Sequence, residues 1–331
     1  MIRQVLLVAL VVVLLCQRAS AYNENGHRVI ALMAYEVLEM EARAKVIALL
    51  RHHPRFRQDF RNKMPDGIRN GSEANRRRWL ISQAGVWPDI ARGFPGRTRN
   101  RFHRPSWHYI NKPFFATEEH EHALASRLPE LEFSITRDLD DRDYNIAQAI
   151  KNSIRIIENR RQPKSLRAVH VCWLVHTVAD IHQALHTTAL FSPNLFPEGD
   201  RGGNEIRTRQ GKLHSIWDGR LGRGRSFSQL RRDAREMLND EDLNACGNAC
   251  TENMDLEAWV DEGHEIAATF AYTDDILEAV VEAEENDDRL ERIQLPGQYF
   301  RDAGRVNRER AVLAAFRLAL LLDSAVVDEE E

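Results

Sequence analysis

Residues 166–190 read LRAVHVCWLVHTVADIHQALHTTAL, and this stretch decides how the chain is understood. Leu166 to Leu190 is apolar on every side of a helical projection, which predicts a helix buried in a core. Set into it are His176, Asp180, His182 and His186. His176 and Asp180 are four apart, so one helical turn presents both on one face. His186 is ten residues past His176, about 15 Å along an ideal helix at about 1.5 Å per residue. Two neighbouring metals along one helix fit that spacing better than one shared metal. His182 falls near the opposite face and reads as a structural histidine.

A second cluster, Leu213-His214-Ser215-Ile216-Trp217-Asp218, repeats the His–Asp spacing. Neutral imidazole and carboxylate suit zinc at roughly 2.0–2.2 Å. One such pair also describes an ordinary helix-surface contact. Two pairs plus His186, in a chain of 13 His, point to metal. Trp87-Pro88-Asp89 and Ser106-Trp107-His108-Tyr109 add an Asp and a His beside Trp, and Asn25-Gly26-His27 adds a His at the start of the first helix. Read alone, Asp89 also suits a cap or turn, and His108 a core histidine. Other chemistries lack their motifs: there is no HExxH, GxSxG, Walker loop or glycine-rich dinucleotide fingerprint. Ser215 has no evident base and orienter. His52, His53, His103, His120, His122, His170 and His264 read as surface or packing residues.

Outward from these clusters the pattern stays helical. Val29, Ile30, Met33, Ala34, Val37 and Leu38 recur at three- and four-residue steps, as do Ile146, Ile150, Ile154 and Ile157. Leu213–Leu221, Trp259–Tyr272 and Arg308–Ala325 read as further helices, and Phe94–Pro113 as a long irregular loop. Strand signals are sparse, and no repeat or linker divides the chain. The expectation is one all-α domain over residues 22–324, followed by an acidic frayed tail, 325–331, that ends Asp328-Glu329-Glu330-Glu331.

Residues 1–21 read as a signal peptide. Arg3 makes the start positive, Val5 to Leu15 is apolar but too short to span, and Ala19-Ser20-Ala21 fits the cleavage pattern. Cleavage after Ala21 leaves Tyr22 first and takes the net charge from −4 to −6. An uncleaved anchor and lipidation at Cys16 are the alternatives, the second opposed by bulky Leu15. The chain is then secreted or periplasmic, and Cys246-Gly-Asn-Ala-Cys250 is open to a short-loop disulfide. Cys172 reads as a buried thiol, and the lack of a CxxC pair argues against a cysteine zinc site. No later apolar stretch is long enough to span a bilayer, which excludes an integral membrane protein. Net negative charge excludes binding of nucleic acid by global charge alone. Of the 46 basic residues, 40 are Arg; their planar forks suit phosphate, though a G+C-rich genome would also yield them.

In order, Tyr22…His27, Trp87-Pro88-Asp89, Trp107-His108-Tyr109, His176-xxx-Asp180-Ile-His-Gln-x-Leu-His186, Gly202-Gly203-Asn204 and Leu213-His214-Ser-x-Trp217-Asp218 resemble one family. It is the zinc-dependent single-strand-specific nucleases of fungi, plants and bacteria, the mung-bean-nuclease-like family, which shares a superfamily with bacterial zinc-dependent phospholipase C. The motifs run from Tyr22 to Asp218, about two thirds of the chain after Ala21; the rest is similar in helical character only.

The resemblance implies three zincs in a cleft of a mostly helical domain. Asp89, His108, His176 and Asp180 would hold the first, and His186, His214 and Asp218 the second. The third would take His27, the shared carboxylate of Asp180, and the amine and carbonyl of Tyr22. The family usually begins with Trp where this chain has Tyr22, and its HQPLH run is HQALH here; neither change removes a ligand. The implied activity is hydrolysis of single-stranded RNA and DNA to 5′-phosphate products, with a companion 3′-nucleotidase activity. Zinc lowers the pKa of bound water to about 7, so the attacking group is available near neutral pH. Asp89 and Asp180 would serve catalysis through the metals, and Arg92 would stabilise charge on the phosphoryl oxygens. Tyr109 would stack a base, which favours unpaired strands. Asn111 and Asn204 would contact base or phosphate, Asn111 standing where fungal members often have Asp. The implied state is a monomer with no stable membrane association.

Two rivals stand beside this reading. Zinc-dependent phospholipases C typically end the second cluster in HxxxE, whereas this chain has HxxxD, and they lack the Gly202-Gly203-Asn204 and Leu213–Asp218 context. A non-enzymatic zinc-binding helical protein would have closed, commonly Cys-rich sites, unlike three sites that share Asp180.

Overall fold

The computed structural model describes residues 22–128, 130–136, 140–249 and 252–327. Its helices are α1 Glu24–Val37, α2 Met40–Leu50, α3 Asp66–Arg69, α4 Glu73–Arg92, α5 Gly96–Phe102, α6 Glu118–Leu124, α7 Ile146–Glu158 and α8 Lys164–Ile181. They continue with α9 Leu213–Asp218, α10 Phe227–Asn239, α11 Glu241–Ala249, α12 Leu256–Ile266, α13 Asp274–Glu285 and α14 Gly297–Val326. Strand β1 Lys112–Phe115 runs parallel to β2 Thr188–Phe191, and β3 Arg207–Thr208 antiparallel to β4 Gly211–Lys212. The architecture is the expected all-α domain.

Helix α8 is the axle. Every side chain from Arg167 to Ile181 is buried, as an all-round apolar helix requires. It packs against α7, α4, α2 and α14, while α1 lies between α4 and α14. The helix ends at Ile181, nine residues short of the expected Leu190. At Gln183 the backbone turns extended, and the side-chain oxygen accepts from Leu185 N at 2.7 Å in place of a helical bond. A single 3₁₀ turn, Ala184–His186, then leads into β2, whose residues are all buried. A buried strand and a buried helix look alike in an apolar run, which is why the sequence suggests one long helix.

Other segments also differ from expectation. Residues 94–113 are ordered, not irregular: α5 and a 3₁₀ turn, Pro105–His108, precede β1. Phe94 and Phe102 pack on Trp87 with ring centroids 6.1 and 5.3 Å away, which anchors the segment. Helix α12 passes into a π-helical turn, Ala267–Ala271, before Tyr272. Helix α14 begins at Gly297 and keeps Ala325 and Val326 buried, so these two belong to the core helix and not to a tail. Residues 1–21, with the expected signal peptide and Cys16, the tail residues 328–331, and Cys250 of the candidate disulfide lie outside the described residues. Cys172 is buried as expected. No described helix is long and apolar enough to cross a membrane.

Three of the packing histidines carry a stability prediction. His53 accepts from Arg55 N at 3.1 Å and packs on Trp87, and His170 meets Ser153 Oγ at 3.2 Å. His182 donates from Nδ1 to Val178 O and accepts at Nε2 from Arg317. Burial pushes His53 and His170 down to about 3, and burial with Arg310 and Arg317 pushes His182 well below the ordinary value. The fold therefore binds fewer protons than the unfolded chain, and stability is lost as pH falls below about 6.5. At about pH 5.5 His53 and His170 each contribute a loss of about 1.4 kcal/mol, and His182 acts in the same direction. Urea unfolding of the metal-free protein should show this loss relative to about pH 7, and His170→Gln should flatten the dependence by about 1 kcal/mol. Equal slopes for the two proteins would contradict the neutral assignment of His170.

Candidate metal centre

The axle helix presents His176 and Asp180 toward three neighbouring segments. Asn23 caps α1 by accepting from Asn25 N and Gly26 N, which sets His27 in the first turn. Gly26 is required there, because a Cβ would lie 2.9 Å from Tyr22 Cβ. Asp89 stands in the last turn of α4, beside Pro88. His108 ends the 3₁₀ turn.

These residues converge on one carboxylate. Asp180 Oδ1 lies 3.2 Å from His27 Nε2, while Oδ2 lies 3.1 Å from both His108 Nδ1 and His176 Nε2. The His27 and His176 rings stack with centroids 3.9 Å apart. Asp89 joins through His108 and His176, with donor atoms within 4.8 Å of theirs, and its Oδ1 lies 2.9 Å from an Arg92 nitrogen. The second cluster is reached through the parallel ladder: Ile110 N donates to His186 O and Lys112 N to Thr187 O. That pairing holds the His108 segment beside His186. His186 Nε2 is 3.8 Å and His214 Nε2 3.5 Å from the two oxygens of Asp218, too far for good hydrogen bonds. Gln183 Nε2 donates to Asp218 Oδ1 at 2.8 Å, and Asn23 N to Asp218 O at 3.1 Å. The segment that leads into α1 is thereby tied to the second cluster.

Among the described residues, three sets present one donor atom each within 4.8 Å of one another: His27, His176 and Asp180; Asp89, His108 and His176; His186, His214 and Asp218. Their tautomers are set from behind. Gly85 O accepts from His176 Nδ1 at 2.7 Å, His108 O from His186 Nδ1 at 2.5 Å, and Gly202 O from His214 Nδ1 at 2.7 Å. A carbonyl only accepts, so in each ring Nδ1 carries a proton and Nε2 is the nitrogen turned toward the carboxylates. His108 Nε2 and His186 Nε2 are buried without a hydrogen-bond partner. Buried imidazole nitrogens and carboxylates crowded at these distances fit a bound cation.

Charge state agrees with that use. Burial lowers His27 and His214, and lowers His108 to about 4, so these rings are neutral near neutral pH. Burial opposes charge on Asp180, but His176, His27 and His186 outweigh it and hold the carboxyl well below its ordinary value. Burial likewise opposes charge on His176 and His186, and the facing carboxylates raise both.

Several supporting groups leave little trace in sequence. Gly202 has φ +60°, and a Cβ there would fall 2.1 Å from Leu185 O, so only glycine can offer its carbonyl to His214. Asp200, fully buried, holds this loop by accepting from Leu190 N, Gly203 N and Tyr272 OH. Burial pushes its carboxyl up to about 7 despite those bonds.

A cleft of about 970 Å³ opens over the clusters. Tyr109, 43% exposed, lines it with Asn111, Asn204 and Arg92. Sequence reading missed Arg99, His103, Arg201, Arg207 and Lys212, which also line it. His103 is a cleft residue and not a plain surface or packing one; burial together with Arg99 and Arg92 lowers it to about 4. Arg207 and Lys212 face each other across the β3–β4 pairing. The side chain of Tyr22 is fully buried, edge-on to His27 at 6.3 Å.

Residues 22–327 match the family model described as S1/P1 Nuclease. No curated protein matches the chain.

Proposed function

The chain belongs to the S1/P1 nuclease family, and from that premise we propose a secreted or periplasmic, zinc-dependent endonuclease of single-stranded RNA and DNA. It would leave 5′-phosphate ends and also act as a 3′-nucleotidase, as a monomer without stable membrane association. The observation that carries the proposal is Asp180, whose two oxygens face different histidines and so suit two neighbouring cations. Three zinc ions are proposed. His186, His214 and Asp218 would hold one, and Asp89, His108, His176 and Asp180 another. Asp180, His27 and the amine and carbonyl of Tyr22 would hold the last. Bound zinc supplies Lewis acidity and an ionisable water near neutral pH.

The chain's own groups then position the substrate. Arg92, held by Asp89, would meet the phosphoryl oxygens, where a charged donor stabilises developing negative charge. Exposed Tyr109 offers a ring on which an unpaired base stacks. Asn111 and Asn204 offer amides beside it. Arg99, Arg201, Arg207 and Lys212 against the lone acid Glu205 give the described cleft lining a cationic balance suited to a polyanion.

The direct test is zinc-loaded protein beginning at Tyr22, given single-stranded RNA, single-stranded DNA, duplex DNA and phosphatidylcholine in parallel. Cleavage of both single strands ahead of duplex is expected. Lipid turnover without nucleic-acid cleavage would shift the assignment to a phospholipase C. Zinc removal should also destabilise the fold, because the proposed ligands tie α1, α4, the 105–108 turn, α8 and α9 together. A fall in melting temperature of roughly 10 °C is expected on chelation. An unchanged melting temperature after demonstrated zinc loss would count against several sites.

A further inference from the structure

The chain distributes its charge unevenly. Residues 51–104 carry 14 Lys and Arg against 4 Asp and Glu, a net +10, although residues 22–331 together carry −6. This basic block comprises a π-helical turn, Phe56–Arg61, followed by α3, α4 and α5. Some of its cations are matched: Arg51, Arg76 and Arg77 to Glu73, Arg69 to Asp66, Arg78 to Glu36. Arg57, Arg61, Lys63, Arg97, Arg99 and Arg101 are exposed and make no ion pair with a described carboxylate.

Packing joins these two exposed groups. Arg55 pairs with Asp59 and lays its guanidinium 4.2 Å over the Phe94 ring. Asp59 also accepts from Trp87 Nε1, and Trp87 packs on Phe94 and Phe102. The 56–63 turn is thus bound to the 94–102 segment, of which Phe94 and Arg99 line the cleft. At the outer end Arg57, Arg61, Asn62 and Arg69 surround a pocket of about 300 Å³.

We infer that this basic face is a binding surface for the sugar–phosphate backbone of the same strand whose scissile bond lies in the cleft. The inference rests on the nuclease reading. Nucleic acid is the fitting polyanion because the face runs into the cleft mouth, where further cations continue it. Arginine forks take phosphate oxygens two at a time. Each phosphate neutralised on a single strand contributes about −0.7 to the log–log salt slope.

The test uses zinc-loaded protein carrying Arg57→Gln, Arg61→Gln, Lys63→Gln, Arg97→Gln and Arg101→Gln together, with a dinucleoside monophosphate and a strand of about 30 nucleotides as substrates. On the long strand, kcat/KM should fall at least about tenfold at low salt, and its salt slope should flatten by roughly 2–3. On the dinucleotide, kcat/KM should stay within about twofold, which also shows that the variant is folded. An unchanged long-strand rate and salt slope, or an equal fall on both substrates, would overturn the inference while leaving the nuclease reading intact. Cleavage of neither substrate by the unsubstituted protein would overturn both.

Discussion

Asp180→Asn should lower phosphodiester cleavage by at least about 10³-fold and release more zinc than any other single carboxylate change. The argument is geometric. Asp180 has no exposed surface, and both its oxygens are within 3.2 Å of imidazole nitrogens from three different segments. An amide offers one neutral oxygen and a pair of N–H donors. Those donors would point at lone pairs of His27 or of His108 and His176. The substitution therefore weakens two cation sites, and its N–H donors compete with the metal for those lone pairs. Asp218 faces only His186 and His214 among the proposed ligands. Asp218→Asn should accordingly lose chiefly one equivalent of metal. Metal analysis of both variants by plasma mass spectrometry decides the matter. Equal zinc loss would show that Asp180 is not shared.

Two extra residues placed before Tyr22 should lower activity by about 10²-fold with little change in unfolding temperature. Tyr22 is wholly buried, packed on Gly26 and beside His27. Asn23 is fixed three ways: its side chain caps α1, its Nδ2 donates to Gly222 O at 2.6 Å, and its N–H donates to Asp218 O. The residue before it is thereby held beside His27, one of the proposed ligands, where a free amine would be a fitting ligand. An α-amine has a pKa near 8 and loses its proton readily beside a dication. An amide nitrogen has no available lone pair, and added residues would crowd the cleft. The comparison is cleavage of a single strand by protein starting at Tyr22 and by the extended form, each supplied with the same zinc. Equal rates would remove Tyr22 from the ligand set and leave the other residues in place.

Much of this was legible because helical spacing is rigid. His176 with Asp180, and His214 with Asp218, can be paired from numbers alone, since four residues make about one turn. The all-round apolarity of α8 likewise shows that it lies in the core. What the sequence hides is the return of the chain. Nothing in Gln183-Ala184-Leu185 states that the helix stops, so His186 looks remote along an axis when it in fact donates to the His108 carbonyl. Backbone carbonyls that fix tautomers, such as Gly85 O and Gly202 O, carry no side-chain signal. Arg99, Arg201, Arg207 and Lys212 were invisible for a different reason. They lie far apart in sequence, Arg99 about a hundred residues before the other three, and only the fold brings them to one cleft.

The central claim, that three cations gather around Asp180 and Asp218, is tested most directly by anomalous diffraction. Crystals of the zinc-loaded protein beginning at Tyr22 should be measured on both sides of the zinc absorption edge. The account predicts three zinc-specific peaks. One should lie among Asp89, His108, His176 and Asp180, and one between His27, Asp180 and the Tyr22 amine. The third should lie among His186, His214 and Asp218. A single peak, or peaks that leave Asp180 without a metal on each side of its carboxylate, would contradict it.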